Sequence, residues 1–206
     1  MMQLFFFLFL KMIESLKLID RNILLAINAF HSSFLDVVMF YLSEIWIFTP
    51  LFIYLFYLIY KKIGIKKSSI LILFCALLIV LCDQSASITK NSVKRFRPTH
   101  NIVIKDSLQI VKNYRGGTYG FFSGHATNTF GIAMFLFLLF SKQTKAVRYV
   151  FFIWAGLVAY SRMYLGQHYP SDVFMGALVG TASGFASHWL MKKIIPTKKE
   201  SIKQIP

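Results

Sequence analysis

Long apolar stretches separated by short polar and charged ones set the pattern of this chain. About 20 helical residues, at about 1.5 Å each, are needed to cross roughly 30 Å of hydrocarbon. Five stretches answer to that length: 37–60, 69–88, 126–140, 147–160 and 173–191. The third and fourth are short by apolar count, so their ends must extend into neighbouring polar residues. The pattern predicts an all-α integral membrane protein built as a bundle of five transmembrane helices.

The N-terminus fits the pattern less well. Residues 1–10 are a dense Phe/Leu run, but Lys11, Glu14, Lys17 and Asp20 follow at once. A signal peptide would carry positive charge before the apolar stretch and small residues at a cleavage site after it, and neither is found here. Residues 1–30 therefore read as an interfacial helix, amphipathic or re-entrant, with a short sixth span as the competing reading. Residues 31–194 read as the membrane-embedded domain, and 195–206 as a basic polar tail.

Composition supports the same class. The chain has 206 residues, the length of one domain, and 56 % of them are hydrophobic. A soluble domain of that size has no core able to hide 22 Phe residues. Cys75 and Cys82 lie seven apart in one apolar run. On a helix that separates them by about 10 Å, beyond disulfide reach, so they read as packing residues.

A formal net charge of +15 would suit nucleic acid, but the cations cluster at the ends of apolar segments. Anionic lipid headgroups are the partner for that arrangement, and nucleic acid is not. Lys61, Lys62, Lys66 and Lys67 fall between the first two spans. Lys142, Lys145 and Arg148 fall between the third and fourth, and Lys192, Lys193, Lys198, Lys199 and Lys203 follow the fifth. Five alternating spans put all of these on one side, which the positive-inside rule makes cytoplasmic. The segments 90–122 and 162–172 then share the extracytoplasmic face.

Those two segments carry the chemistry. Lys90 and Arg97 are seven apart, so on one helix they share a face, with Pro98 ending that helix. Arginine offers phosphate a planar fork and lysine a point charge. Lys94 and Arg95 beside them read as a basic flank anchoring the span. Ser123-Gly124-His125 follows Gly116, Gly117 and Gly120 and precedes an apolar run. A Ser-Gly pair there is ordinarily a turn before a helix, yet a serine N-cap and a glycine amide at a helix start also make an anion site. His125 adds a proton donor. Ser161-Arg162 precedes His168, and Asp172 lies four residues beyond that histidine. Pro170 suits a first helical turn, which puts Asp172 near the positive end of a dipole and within reach of the His168 ring. Such a pair alone is commonly a cap; Arg162 upstream tips it toward function.

Other ionisable residues carry less. His31, His100 and His188 lack ligand-spaced acidic or cysteine neighbours, so no metal site is expected. Glu44 and Asp83 sit at membrane depth, where charges are paired or functional. Asp83 is seven before Lys90 and shares its face.

Together these motifs resemble the type 2 phosphatidic acid phosphatase family, which shares its active site with vanadium haloperoxidases. The family's K-x6-R-P, P-S-G-H and S-R-x5-H-x3-D are matched by Lys90…Arg97-Pro98, by Phe122-Ser123-Gly124-His125 and by Ser161-Arg162…His168…Asp172. Phe122 replaces the usual proline, a departure that bears on loop geometry. The resemblance spans residues 37–192.

It implies a nucleophile, His168, oriented by Asp172 and forming a phosphohistidine, with His125 protonating the leaving group. Lys90, Arg97, Arg162, Ser123 and the Gly124 amide would hold the phosphoryl oxygens, with no metal or cofactor. The implied substrate is a phosphomonoester or diphosphate of a lipid: undecaprenyl diphosphate, phosphatidylglycerol phosphate, phosphatidate or a lipid A phosphate. The expected setting is a bacterial inner membrane, multi-pass, with the site facing the periplasm. A vanadate-dependent haloperoxidase and a non-catalytic phospholipid-binding protein are the alternatives. The apolar spans weigh against the first, and the His168–Asp172 pair against the second.

Overall fold

The computed structural model describes residues 1–143 and 145–194. The helices are α1 (Met2–Ala29), α2 (Ser33–Ser43), α3 (Thr49–Val93), α4 (Gly124–Leu139), α5 (Lys145–Tyr164) and α6 (Pro170–Ile194), joined in places by short 3₁₀ turns. Among the described residues there is no β-strand, only a single bridge between Phe96 and Tyr119. The expected all-α class holds. The basic tail 195–206 lies outside the described residues.

The first expected span is not one helix. α2 stops at Ser43, Glu44 is extended (φ −89°, ψ 107°), and a 3₁₀ turn over Ile45–Phe48 leads into α3. Pro50 gives the reason. It has no N–H to continue a helix from Trp46 and disfavours helical backbone just before it, but it is well placed in the first turn of α3. α3 is itself two arms, because Gly64 takes φ 76° and ψ 168°, a conformation open to glycine. Phe52, Leu55 and Ile59 from one arm and Leu71, Phe74 and Leu78 from the other pack in the same cluster.

By length and composition, Ile45–Val93 is long and apolar enough to cross a membrane. α1 and α2 meet that measure only as a pair bent by 119°.

Helix α4 is the centre of the bundle. It packs on α3, α5 and α6 and buries Thr127, Gly131, Ala133, Phe135 and Leu136. Its closest neighbour is α6, whose Gly176, Gly180 and Gly184 form a bare stripe. A Cβ on Gly180 would strike the Thr127 carbonyl oxygen, and one on Gly184 the Gly131 carbonyl oxygen. Small residues at such spacing let helix backbones meet closely where no hydrophobic effect drives them together.

α1 is bare by comparison. It buries only Asp20, Leu24 and Asn28, a single stripe four residues apart, while Phe5, Phe6, Phe7 and Leu8 are exposed. The bundle has two unlike ends. Lys61 to Lys67, Arg148 and Lys193 lie at one. The C-terminal ends of α3 and α5 and the N-terminal ends of α4 and α6 meet at the other.

Candidate active site

Lys90 stands in the last turn of α3, and its Nζ lies 3.5 Å from where a Cβ on Gly124 would be. Asp83 Oδ1, from the same helix face, is 3.9 Å from that point. Lys90 and Arg97 do not share a helix face as their spacing predicts. α3 ends at Val93, where Lys94 turns into the left-handed region (φ 52°) and its N–H caps the Lys90 carbonyl. Arg97 then lies on extended backbone, its N–H bonded to the Thr118 carbonyl at 3.0 Å. Its guanidinium donates through Nε to the Tyr119 carbonyl (3.2 Å) and through Nη1 to Gln167 Oε1 (3.3 Å). The arginine therefore reaches the site from a loop, across from Lys90.

Ser123 caps α4 as expected. It is fully buried, its Oγ accepts from the Ala126 N–H at 3.4 Å, and its own N–H bonds the Asp172 carbonyl at 3.0 Å. Gly124 begins the helix with no side chain between its amide and Lys90. His125 follows in the first turn, with the charges of Arg162, Arg97 and Lys90 and the His168 ring as its neighbours.

Arg162 is 2 % exposed at the end of α5, its Cζ 5.9 Å from the Tyr114 ring centroid and its Nε without a partner. A buried guanidinium nitrogen left unbonded is costly unless something else takes the bond. Ser161 belongs to the helix instead, its Oγ bonding the Val158 carbonyl at 2.7 Å.

His168 lies in the loop between α5 and α6 and is 1 % exposed. Burial, and then the charges of Arg97, Arg162 and Lys90, hold its ring well below the ordinary histidine range. It is a neutral base at neutral pH. Asp172 Oδ2 faces His168 Nδ1 at 3.6 Å, longer than a hydrogen bond. The carboxylate is bonded elsewhere: Oδ2 accepts from the Tyr169 N–H at 3.0 Å, half of a capping box for α6, and Oδ1 accepts from Arg95 Nη1 at 2.7 Å.

Arg95 is the residue the sequence misplaces. It is no membrane anchor but a buried-side partner of Asp172, while its neighbour Lys94 stays exposed. Lys112 and Arg115 of the long connection have partners of their own. Lys112 sits over the rings of Phe40 and Tyr41 on α2, and Arg115 donates to the Thr99 carbonyl.

Four helix ends and two loops thus bring Lys90, Arg97, Ser123, Gly124, His125, Arg162, His168 and Asp172 together. Three fixed cations and the start of a helix surround two imidazoles, an arrangement suited to an oxyanion with several negative oxygens.

The chain is similar to known proteins. The PAP2 superfamily profile matches residues 69–196. A lipid A 4'-phosphatase of Bacteroides thetaiotaomicron is 36 % identical over 185 residues, 89 % of this chain and 81 % of that protein. A lipid A 4'-phosphatase of Porphyromonas gingivalis is 37 % identical over 170 residues, 81 % of this chain and 70 % of that protein. Among solved structures, Aquifex aeolicus LpxE is 30 % identical with a TM-score of 0.58, covering 81 % of this chain and 92 % of its own. A transmembrane PAP2-type phosphatidylglycerolphosphate phosphatase from Bacillus subtilis has a TM-score of 0.69 at 20 % identity, covering 87 % of this chain and 88 % of its own, a likeness of fold.

Proposed function

The chain belongs to the PAP2 superfamily, and from that premise we propose that it is an integral-membrane lipid phosphatase that removes a phosphate from lipid A. The two arms of α3 with α4, α5 and α6 make five spans, α1 and α2 lie at the interface, and the site opens on the extracytoplasmic face of the inner membrane.

In this reading His168 attacks phosphorus through Nε2, since Nδ1 faces Asp172. The bond from phosphorus to the ester oxygen breaks as the bond to nitrogen forms, and His125 passes its proton to the departing lipid oxygen. Water then attacks the phosphohistidine, gives a proton back to His125 and releases inorganic phosphate. Lys90, Arg97, Arg162, the Ser123 hydroxyl and the Gly124 amide hold the three equatorial oxygens, so charge developing in the transition state meets donors already in place. The incoming phosphate also offsets the cations that crowd His125, which lets that ring carry the proton it must donate. The fixed cations supply the charge a metal would, and turnover is metal-independent.

The observation that carries the reading is the cradle of Lys90, Arg97 and Arg162 around a buried neutral His168. Lipid A is favoured over phosphatidylglycerol phosphate, phosphatidate and undecaprenyl diphosphate by the two lipid A phosphatases that match over most of their length. The test is phosphate release from these four lipids by detergent-purified protein in EDTA, with His168→Ala as control. Release should be fastest from lipid A and absent in the variant. Turnover by the purified variant would end the mechanism, and a preference for another lipid would end the substrate assignment.

A further inference from the structure

Asp172 is fully buried, and what fixes it comes from the far end of the chain. Arg95 Nη1 donates to Asp172 Oδ1 at 2.7 Å and to Ser171 Oγ at 2.6 Å. Arg95 Nη2 donates to Asp20, and its Cζ lies 4.1 Å over the Tyr169 ring. Asp20 closes the circuit by accepting from the Ser171 N–H at 2.8 Å and the Ser171 hydroxyl at 2.6 Å. The arginine is held on three sides, by Asp172 and Ser171, by Asp20 and by the Tyr169 ring.

Asp20 belongs to α1, and it heads that helix's one buried stripe. Two turns on, Asn28 Nδ2 donates to the Tyr164 carbonyl at 2.7 Å. α1 therefore grips the chain just before His168 and just after it. The charge balance has the same logic. An Arg95–Asp172 pair alone would be neutral and would weaken the field at the imidazole. With Asp20 drawing on the other guanidinium nitrogen, the cluster keeps one net negative charge behind His168, where the ring becomes cationic during attack.

We propose that Arg95 and Asp20 are positioning residues for the reaction: the Asp20–Arg95–Asp172 chain fixes the carboxylate behind His168 and keeps it charged, making α1 part of the reaction centre. The inference rests on the phosphohistidine reading above, in which His168 is the nucleophile.

The test measures kcat, KM and thermal unfolding on lipid A for Arg95→Gln, Arg95→Lys, Asp20→Asn and the Asp20→Asn/Arg95→Gln double variant. Arg95→Gln should lower kcat by about tenfold to a hundredfold with KM little changed, as for a displaced catalytic group. Arg95→Lys should restore part of the loss. Asp20→Asn should lower kcat less, and the double variant should be no worse than Arg95→Gln, because Asp20 acts through Arg95. Wild-type kcat in Arg95→Gln, or losses that multiply in the double variant, would overturn the proposal. Should Arg95→Gln not fold, Asp20→Asn decides alone: a lowered kcat at unchanged KM supports the chain, an unchanged kcat sinks it. A wild-type protein inactive on every lipid, or an active His168→Ala, would instead undo the phosphatase reading itself.

Discussion

Asp172 and His168 face each other at 3.6 Å, both fully buried, with the carboxylate bonded to Arg95 and to the Tyr169 amide rather than to the ring. In the proposed mechanism Asp172 acts on the imidazole by charge and position. Apo contacts of this kind commonly tighten when substrate binds. Replacing Asp172 with Asn keeps the shape and an acceptor for Tyr169 but removes the charge. The kcat should fall by about 10²–10⁴-fold, the scale for a carboxylate behind a catalytic imidazole, with little change in KM. Steady-state phosphate release measures it, and a wild-type kcat would take Asp172 out of the reaction.

The depressed proton affinity of His168 predicts a pH profile. In the proposed mechanism the attacking form is the neutral ring, which is lost as pH falls through the lowered value, on the acid side of the ordinary 6.5. The acid limb of kcat/KM should therefore lie below pH 6.5. Burial and the charges of Arg97, Arg162 and Lys90 press on this ring, opposed by the Gly120 backbone. Arg97→Gln removes one of the three cations and should move the limb toward 6.5. A limb that stays in place would show that Arg97 does not act on His168.

Arg162 predicts the behaviour of phosphate mimics. It is 2 % exposed, with an unbonded Nε, in the only residue type that presents two parallel donors to an oxyanion. Orthovanadate should inhibit in competition with lipid. Arg162→Lys should weaken that inhibition by about tenfold to a hundredfold, or about 1.4–2.8 kcal/mol. An unchanged inhibition constant would place Arg162 outside the cradle.

The sequence showed the cradle because its members lie in three contiguous motifs at the ends of apolar runs, where hydropathy and charge both point. It did not show Arg95. Nothing local separates that residue from Lys94, and its role depends on Asp20, 75 residues away. Asp20 gave no signal of its own either, since it stands among Lys11, Glu14, Lys17 and Arg21. The break before α3 was legible in Pro50, but a hydropathy reading passes over a proline flanked by Thr49 and Leu51. The end of α3 at Val93 was not legible, since a lysine in the left-handed region leaves no mark in composition. The glycine stripe of α6 was visible as a spacing, yet only the approach of α4 gives it meaning.

That approach yields the last prediction. A Cβ on Gly184 would meet the Gly131 carbonyl oxygen and lie 3.1 Å from Met134 Cβ, whereas one on Gly156, on α5, meets nothing within 4 Å. Gly184→Ala must push α4 and α6 apart and should cost about 1–3 kcal/mol, as overpacking does. Gly156→Ala should be neutral or gain up to about 1 kcal/mol from helix propensity. Thermal unfolding in detergent compares the two. The displacement should also reach the site, because α4 carries Ser123 and its N–H is tied to the Asp172 carbonyl on α6. Gly184→Ala should lose activity at temperatures where Gly156→Ala does not. Equal stability in both variants would mean that close backbone contact between α4 and α6 is not what holds the two halves of the site together.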